Sequence, residues 1–309
     1  MAKKPELVTA AGSLEEVSRL LAAGADAIAV GEERYGMRLP GNLSVSELAQ
    51  AAKLAHEQGA KLYVIANALF TNDIADELPD YVRQVAEAGA DALAFGDPAL
   101  LPALKEAGVA LPLHWHGETM STNYETANYW GRRGAVRVFA ARELNLEELL
   151  ELKRSCALEV QVQVHGMTNI YHSKRPLVEL YREHQGRRLS TEAYGQERGL
   201  ELIEAERPDE RFPVFEDANG THIMSSDDLC YLDNLEDLME AGIDSFYVEG
   251  LLQSISYREK VVAIYRQAID AYAQNPVDWY RDEWLEELEE IQPDHRRLSF
   301  GFLYKQQVY

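Results

Sequence analysis

Cysteine is almost missing from this chain. Its 309 residues include only Cys156 and Cys230, too few for a disulfide framework, a four-thiolate zinc site or an all-cysteine iron–sulfur cluster within the chain. Cations are scarce as well: 30 Lys and Arg face 52 Asp and Glu, a formal charge of −22. A polyanion meets net repulsion, which argues against a stand-alone nucleic-acid binder. No window reaches the roughly 20 apolar residues of a membrane span. The opening "MAKKPELVTAAGS" is broken by Ser13, Glu15 and Glu16 too early for a signal peptide. The expectation is a soluble protein of the reducing cytoplasm. Gly-rich phosphate loops of both common types and a Gly-x-Ser-x-Gly elbow are also missing. What is present is 46% hydrophobic residues, enough for one large core or two modest ones and too many for a mainly disordered chain.

One unit recurs: a short apolar or β-branched run, a polar turn, an amphipathic helix, and a Gly before the next run. Ala23-Gly24-Ala25-Asp26, Ala88-Gly89-Ala90-Asp91 and Ala241-Gly242-Ile243-Asp244 are near-copies of its helix-to-strand junction. Gly suits that place because the residue after a helix commonly turns left-handed. Strands are predicted near 6–11, 27–32, 61–67, 92–96, 111–116, 136–141, 159–165 and 245–249, each followed by a helical pattern. Ser13, Ser44 and Asn145 read as helix caps, with Glu two or three residues on. Eight such units favour an α/β fold of the (β/α)8 TIM-barrel type, with a doubly wound open sheet as the alternative.

The spacing is uneven. About sixty residues rich in Arg, Glu, His and Tyr separate His165-Gly166 from the helix near Leu232. The expected organisation is a barrel over 1–275, an insertion over 167–228 at its active face, and a tail over 276–309 packing back on the barrel. An insertion of this length in a compact domain is usually functional.

On the barrel reading, the strand ends present Asn67, Gly96-Asp97, His116 with Glu118, Arg142-Glu143, His165 and Glu249-Gly250. In "LHWHGET", His114 and His116 alternate at period two and face one side of a strand. With Glu118 or His165 they make a candidate divalent-metal site. Otherwise His116 and His165 are hydrogen-bonded residues of a polar cavity and His114 a layer residue. Arg142 suits a ligand's carboxylate or phosphate, or pairs with an acidic neighbour. Tyr171, His172, Lys174 and Arg175 make the start of the insertion basic and aromatic, a composition for nucleotide or partner contact or for a solvated loop.

Taken in order, "PELVTAAGSLEEVSRLLAAGADAIAVGEERYGMR", "FAARELNLEELLELK", "LEVQVQVHG", "SSDDLCYLDNLEDLMEAGIDSFYVEG" and "RRLSFGF" resemble the collagenase-like peptidases, unclassified peptidase family thirty-two, over essentially the whole chain. The resemblance implies hydroxylation proteins of oxygen-independent or prephenate-dependent type, acting on tRNA wobble uridine, ribosomal RNA or ubiquinone precursors. Collagenolytic members gave the family its peptidase name. The hydroxylation members hold an iron–sulfur cluster on four cysteines. Counted from Val164-His165-Gly166, the first two positions are here Asn169 and Pro176. The third has no cysteine counterpart between Gly186 and Asp228, and the fourth corresponds to Cys230. The usual Glu-Gly-Arg of the last strand is Glu249-Gly250-Leu251, and a usual Gln corresponds to Glu118.

Asn67, Arg142, Glu143, His165 and Glu249 match the family pattern. The resemblance therefore implies a cysteine-poor paralogue without its own cluster, working in a heteromer with a larger cluster-bearing one. Its expected role is a subunit or accessory protein for prephenate-dependent 5-hydroxylation of wobble uridine, reaching tRNA through the complex. His165, Arg142, Glu143 and Glu249 are the expected catalytic residues; Asn67, Glu118 and His116 are the expected ligand contacts. Two other readings stay open. One is a peptidase, metal-assisted through His116 and His165, since neither a Ser nor a Cys nucleophile with its base is visible. The other is a non-catalytic barrel that binds a partner or a small anionic ligand.

Overall fold

The computed structural model describes residues 4–117, 120–187 and 194–305. Seven strands come first: β1 (Glu6–Ala10), β2 (Ala27–Val30), β3 (Lys61–Ala66), β4 (Ala92–Phe95), β5 (Leu113–Trp115), β6 (Ala135–Phe139) and β7 (Glu159–Ser173). The insertion adds β8 (Glu201–Glu204), β9 (Arg207–Asp217) and β10 (Gly220–Cys230); β11 (Ser245–Val248) follows, and β12 (Leu298–Ser299) lies in the tail. Parallel pairing runs from β1 through β7, and β11 pairs in parallel with both β7 and β1. That closes an eight-stranded barrel and removes the open-sheet alternative.

Helices α1 (Leu14–Ala22), α2 (Val45–Glu57), α3 (Asn72–Glu87), α4 (Leu100–Ala107), α5 (Tyr124–Gly131) and α6 (Leu146–Ser155) join the first seven strands. The insertion carries α7 (Leu177–His184); α8 (Leu235–Glu240) and α9 (Ile255–Gln274) flank β11, and α10 (Asp282–Ile291) lies in the tail. Local signals set these ends. Asn145 Oδ1 accepts from Glu148 N at 3.0 Å while Glu148 Oε2 accepts from Asn145 N at 2.9 Å, a reciprocal capping box. The junction glycines Gly24, Gly89 and Gly242 have φ of 107°, 88° and 73°, a region that a Cβ disfavours.

One core lies between strands and helices and includes Leu7, Ile28, Val64, Phe95, Trp115 and Tyr265. A second fills the barrel interior with Val8, Ala10, Ala29, Ile65, Ala94 and Tyr247. The interior is small and apolar on β1–β4 and turns polar on β5–β7, where His114, Arg137, Gln161 and Gln163 are buried. That switch in side-chain type, along strands of fixed alternation, places a polar cavity inside an otherwise close-packed barrel.

The seventh strand departs from its predicted length. It runs for 15 residues to Ser173 instead of ending near 165, because β10 lies antiparallel beside its second half, pairing Ser173 with Thr221 and His165 with Cys230. The insertion is thus an antiparallel β7-β10-β9-β8 extension of the barrel sheet, not a loop. In the tail, Trp284 Nε1 of α10 donates to Gln267 Oε1 of α9 at 3.3 Å, and β12 pairs with β10 at Asp228 and Leu229.

Candidate functional site

At the carboxyl ends of the strands, a cavity of about 20 Å3 is lined by His116, Phe139, Arg142, Glu143, Gln163 and Tyr247, with Gln161 beside them. A groove of about 730 Å3, walled by the insertion and the tail, shares Arg142 and Glu143 with it. Asn67, at the end of β3, holds His116: its Oδ1 accepts from Met37 N at 2.7 Å, and its Nδ2 lies 3.1 Å from His116 Nδ1. Because Met37 fixes the amide oxygen, Asn67 Nδ2 is the donor and Nδ1 the acceptor. The neutral imidazole therefore carries its proton on Nε2.

Arg142 is held in the same indirect way. Its Nε donates to Gln163 Oε1 at 2.6 Å, and Gln163 Nε2 donates to the carbonyls of His165, Gly166 and Met167 at 3.3, 3.2 and 2.8 Å. Glu249 ends β11 in a buried position, its Oε1 accepting from Gly250 N at 2.8 Å and Leu251 N at 3.0 Å. Burial pushes its carboxyl pKa up, against the pull of Arg142 and Arg38. Such a group gives or takes a proton nearer to neutrality than an exposed glutamate does.

The structure brings Asn67, His116, Arg142 and Glu143 together at the barrel mouth, with Glu249 close enough to feel the Arg142 charge. His165 is placed elsewhere. Alternation from Gln161 and Gln163 would turn it inward, but the β7–β11 register skips Val164 between Tyr247↔Gln163 and Val248↔His165. This bulge sets His165 beside Val164 on the outer side. There its Nε2 lies 2.8 Å from Tyr257 Oη of α9, with Tyr265 Oη 3.5 Å from its Nδ1. The site at the mouth is thus built without His165, and its pairing with His116 as metal ligands is not formed. Glu118 falls outside the described residues. His114 is a layer residue, its ring edge-on to Tyr63 in the barrel interior.

Among the described residues, no group of three or more His, Cys, Asp or Glu is arranged to hold a metal ion. An iron–sulfur cluster does not fit either. Cys230 is buried with Sγ 3.7 Å from Tyr265 Oη, burial pushes its thiol up to about 11, and Cys156 ends α6. The interior positions Gln161, Gln163 and Tyr247 were not predicted as site residues. The signal was there: "EVQVQV" puts two amides on the inner side of a strand. A second groove of about 750 Å3, between the segment after β2 and the insertion, was missed too. It contains Arg38 and Leu252, non-glycine residues at φ 54° and 60°, and no local sequence signal marks either.

A closed TIM-type barrel with a β extension and a polar mouth defines the class, and the chain belongs to Peptidase family U32, whose profile matches residues 12–308. It is 46% identical to tRNA hydroxylation protein P2 of Bacillus subtilis (strain 168), over 99% of this chain and 100% of that protein. It is 29% identical to tRNA hydroxylation protein P1 of the same organism, over 93% of this chain and 68% of that one. The solved structure of a U32 peptidase has the same fold, with a TM-score of 0.51 and 15% identity over 81% of this chain and 94% of that chain. No helix among the described residues is long and apolar enough to cross a membrane.

Proposed function

We propose that this chain is a subunit or accessory protein for tRNA hydroxylation, specifically the prephenate-dependent 5-hydroxylation of wobble uridine. The carrying observation is its 46% identity to the P2 protein along the full length of both chains. The longer P1 protein of the same organism matches this chain over only 68% of its length, which supports a heteromer in which a larger paralogue supplies the redox centre. The formal charge of −22 supports the same division: the partner contributes most of the RNA-binding surface. In this reading Arg142, Glu143 and Glu249 carry the chemistry at the mouth, while Asn67 and His116 position the ligand. His165, which also matches the family pattern, stands apart from the mouth and joins β7 to α9 through Tyr257.

The test is genetic and chemical. Deleting the gene in a background that keeps the larger paralogue is expected to lower hydroxylated uridine in tRNA read by mass spectrometry. Unchanged modification in that background would sink the proposal. Co-purification of the native protein is expected to bring down the larger paralogue.

A further inference from the structure

Alternation along the insertion sheet sorts its two faces. On one, His172, His222 and Phe215 stack with ring centres 4.8 Å apart, beside Arg38. On the other, Thr221 and Glu216 hold the first turn of α7: Leu177 N donates to Thr221 Oγ1 at 2.8 Å, and Val178 N and Glu179 N donate to the Glu216 carboxylate at 2.7 and 3.1 Å. Tyr171 lies two residues from Ser173, the cross-strand partner of Thr221, so it shares the α7 face. There Tyr171 is 47% exposed, Leu180 48% and Tyr181 61%.

The cations beside these rings differ from those elsewhere on the chain. Five other exposed arginines, Arg34, Arg83, Arg154, Arg207 and Arg211, each meet a carboxylate at 2.5 to 2.8 Å. Arg175, Arg182 and Arg187 meet none among the described residues. Lys174 Nζ donates to the Leu69 carbonyl after β3, which ties this end of the insertion to the barrel rim. At the far end of α7 the chain turns at Gly186, φ 71°, and Arg187 N donates to the Arg182 carbonyl at 2.9 Å, so two guanidiniums start from one turn. Arg175 stands about 10 Å of helix away from them. Residues 174–187 thus carry four cations and two carboxylates in a chain of net charge −22.

We propose that α7 and Tyr171 form a contact surface for single-stranded RNA, with the guanidiniums on phosphates and the two phenol rings stacked on bases. The inference rests on the reading that the chain works on tRNA, and it locates the part of the RNA contact that this chain makes itself. An RNA duplex fits less well, because its base faces are stacked inside and closed to a tyrosine. A protein groove fits less well too. A docking helix is read through apolar anchors at i, i+3, i+4 and i+7, and in this helix of eight residues the last anchor is His184.

The test uses the full chain and fluorescence anisotropy with a labelled oligouridylate, with a duplex RNA of equal phosphate count and polyglutamate as comparisons. The single strand is expected to bind at 50 mM salt and to outcompete both comparisons. Arg175→Gln combined with Arg182→Gln should weaken binding about fivefold or more and flatten the slope of log affinity against log salt by about 1.4. Tyr181→Leu, which keeps an apolar side chain but removes the ring, should weaken it about threefold or more with the slope unchanged. It also stands as the second variant if the double one does not fold, as judged by circular dichroism. No binding of the single strand at tens of micromolar protein would overturn the proposal, as would equal binding of polyglutamate or unchanged affinity in the folded variants. Variants that kept RNA affinity but lost the co-purified paralogue would overturn it as well, and would make α7 a protein-docking helix. The tRNA measurement fails or succeeds separately. Modification lost on deletion without RNA affinity in this chain removes the surface and keeps the function; RNA affinity with intact modification does the reverse.

Discussion

His165 lies wholly inside the wall between β7 and α9, and burial lowers its pKa to about 4, with Asp228 opposing the shift. The ordinary value is 6.5, so between these limits the unfolded chain binds more protons at this residue than the folded one. Its contribution to stability is therefore complete above pH 6.5 and is lost as pH falls toward 4. From pH ~7.5 to ~5.0 the loss from this residue comes to about 2 kcal/mol. His114, held well below its ordinary pKa chiefly by burial, adds a loss of the same sign. Urea unfolding at both pH values is expected to show a smaller pH dependence for His165→Gln than for the parent; an equal slope would refute the assignment. Glu249 shifts the other way, raised by burial and restrained by Arg142. Arg142→Gln should therefore raise the Glu249 pKa further, as read by carboxyl-carbon NMR across a pH titration.

Among the elements, the insertion depends on how β10 is anchored at both ends. At its start Gly220 has φ of 108°, and a Cβ there would lie 2.0 Å from the Ser173 carbonyl oxygen. Gly220→Ala should loosen the β7–β10–β9 pairing at a cost of about 2 kcal/mol or more, seen as faster amide exchange over 207–230 with the barrel strands unaffected. At its other end Asp228 is fully buried and accepts from Arg296 Nη2 at 2.7 Å and from Gln292 Nε2 at 2.6 Å. Gln292 Oε1 in turn accepts from Tyr257 Oη at 2.7 Å, beside His165. Arg296→Ala leaves the Asp228 charge buried without its guanidinium, a loss of about 3–5 kcal/mol; adding Asp228→Asn should restore part of the urea midpoint. The barrel units were legible because caps and junction glycines such as Asn145 and Gly24 act within one turn of chain. The extension of β7 and its bulge at Val164 were not. Both are set by which strand lies alongside, and residues 167–173 carry no clean alternation to signal it.

At the scale of the molecule, Trp279 and Trp284 of the tail are buried whereas Phe300, Phe302 and Tyr304 of "FGFLY" stay exposed, and no sequence signal named what the two tryptophans meet. Trp279 meets Tyr272 of α9 edge-on at 5.6 Å between ring centres, and Trp284 and Leu288 of α10 are buried. The tail also supplies Arg296 and Gln292 to a polar chain that runs through Asp228 and Tyr257 to His165. Strand β7, the return of the insertion and α9 therefore share one set of tail contacts. A fragment ending at 275 loses the Arg296 partner of a buried charge, about 3–5 kcal/mol by itself, together with the apolar cover of α9. Domains are commonly stable by only about 5–15 kcal/mol, so the fragment should sit at or below its folding threshold. Circular dichroism in urea is the measurement: the full chain is expected to unfold in one transition, and the fragment to show a greatly lowered midpoint or no cooperative transition. A fragment that unfolded at the full chain's midpoint would mean that the tail is an appendage. The buried Asp228–Arg296 pair would then contribute nothing to holding α9 against β7 beside His165.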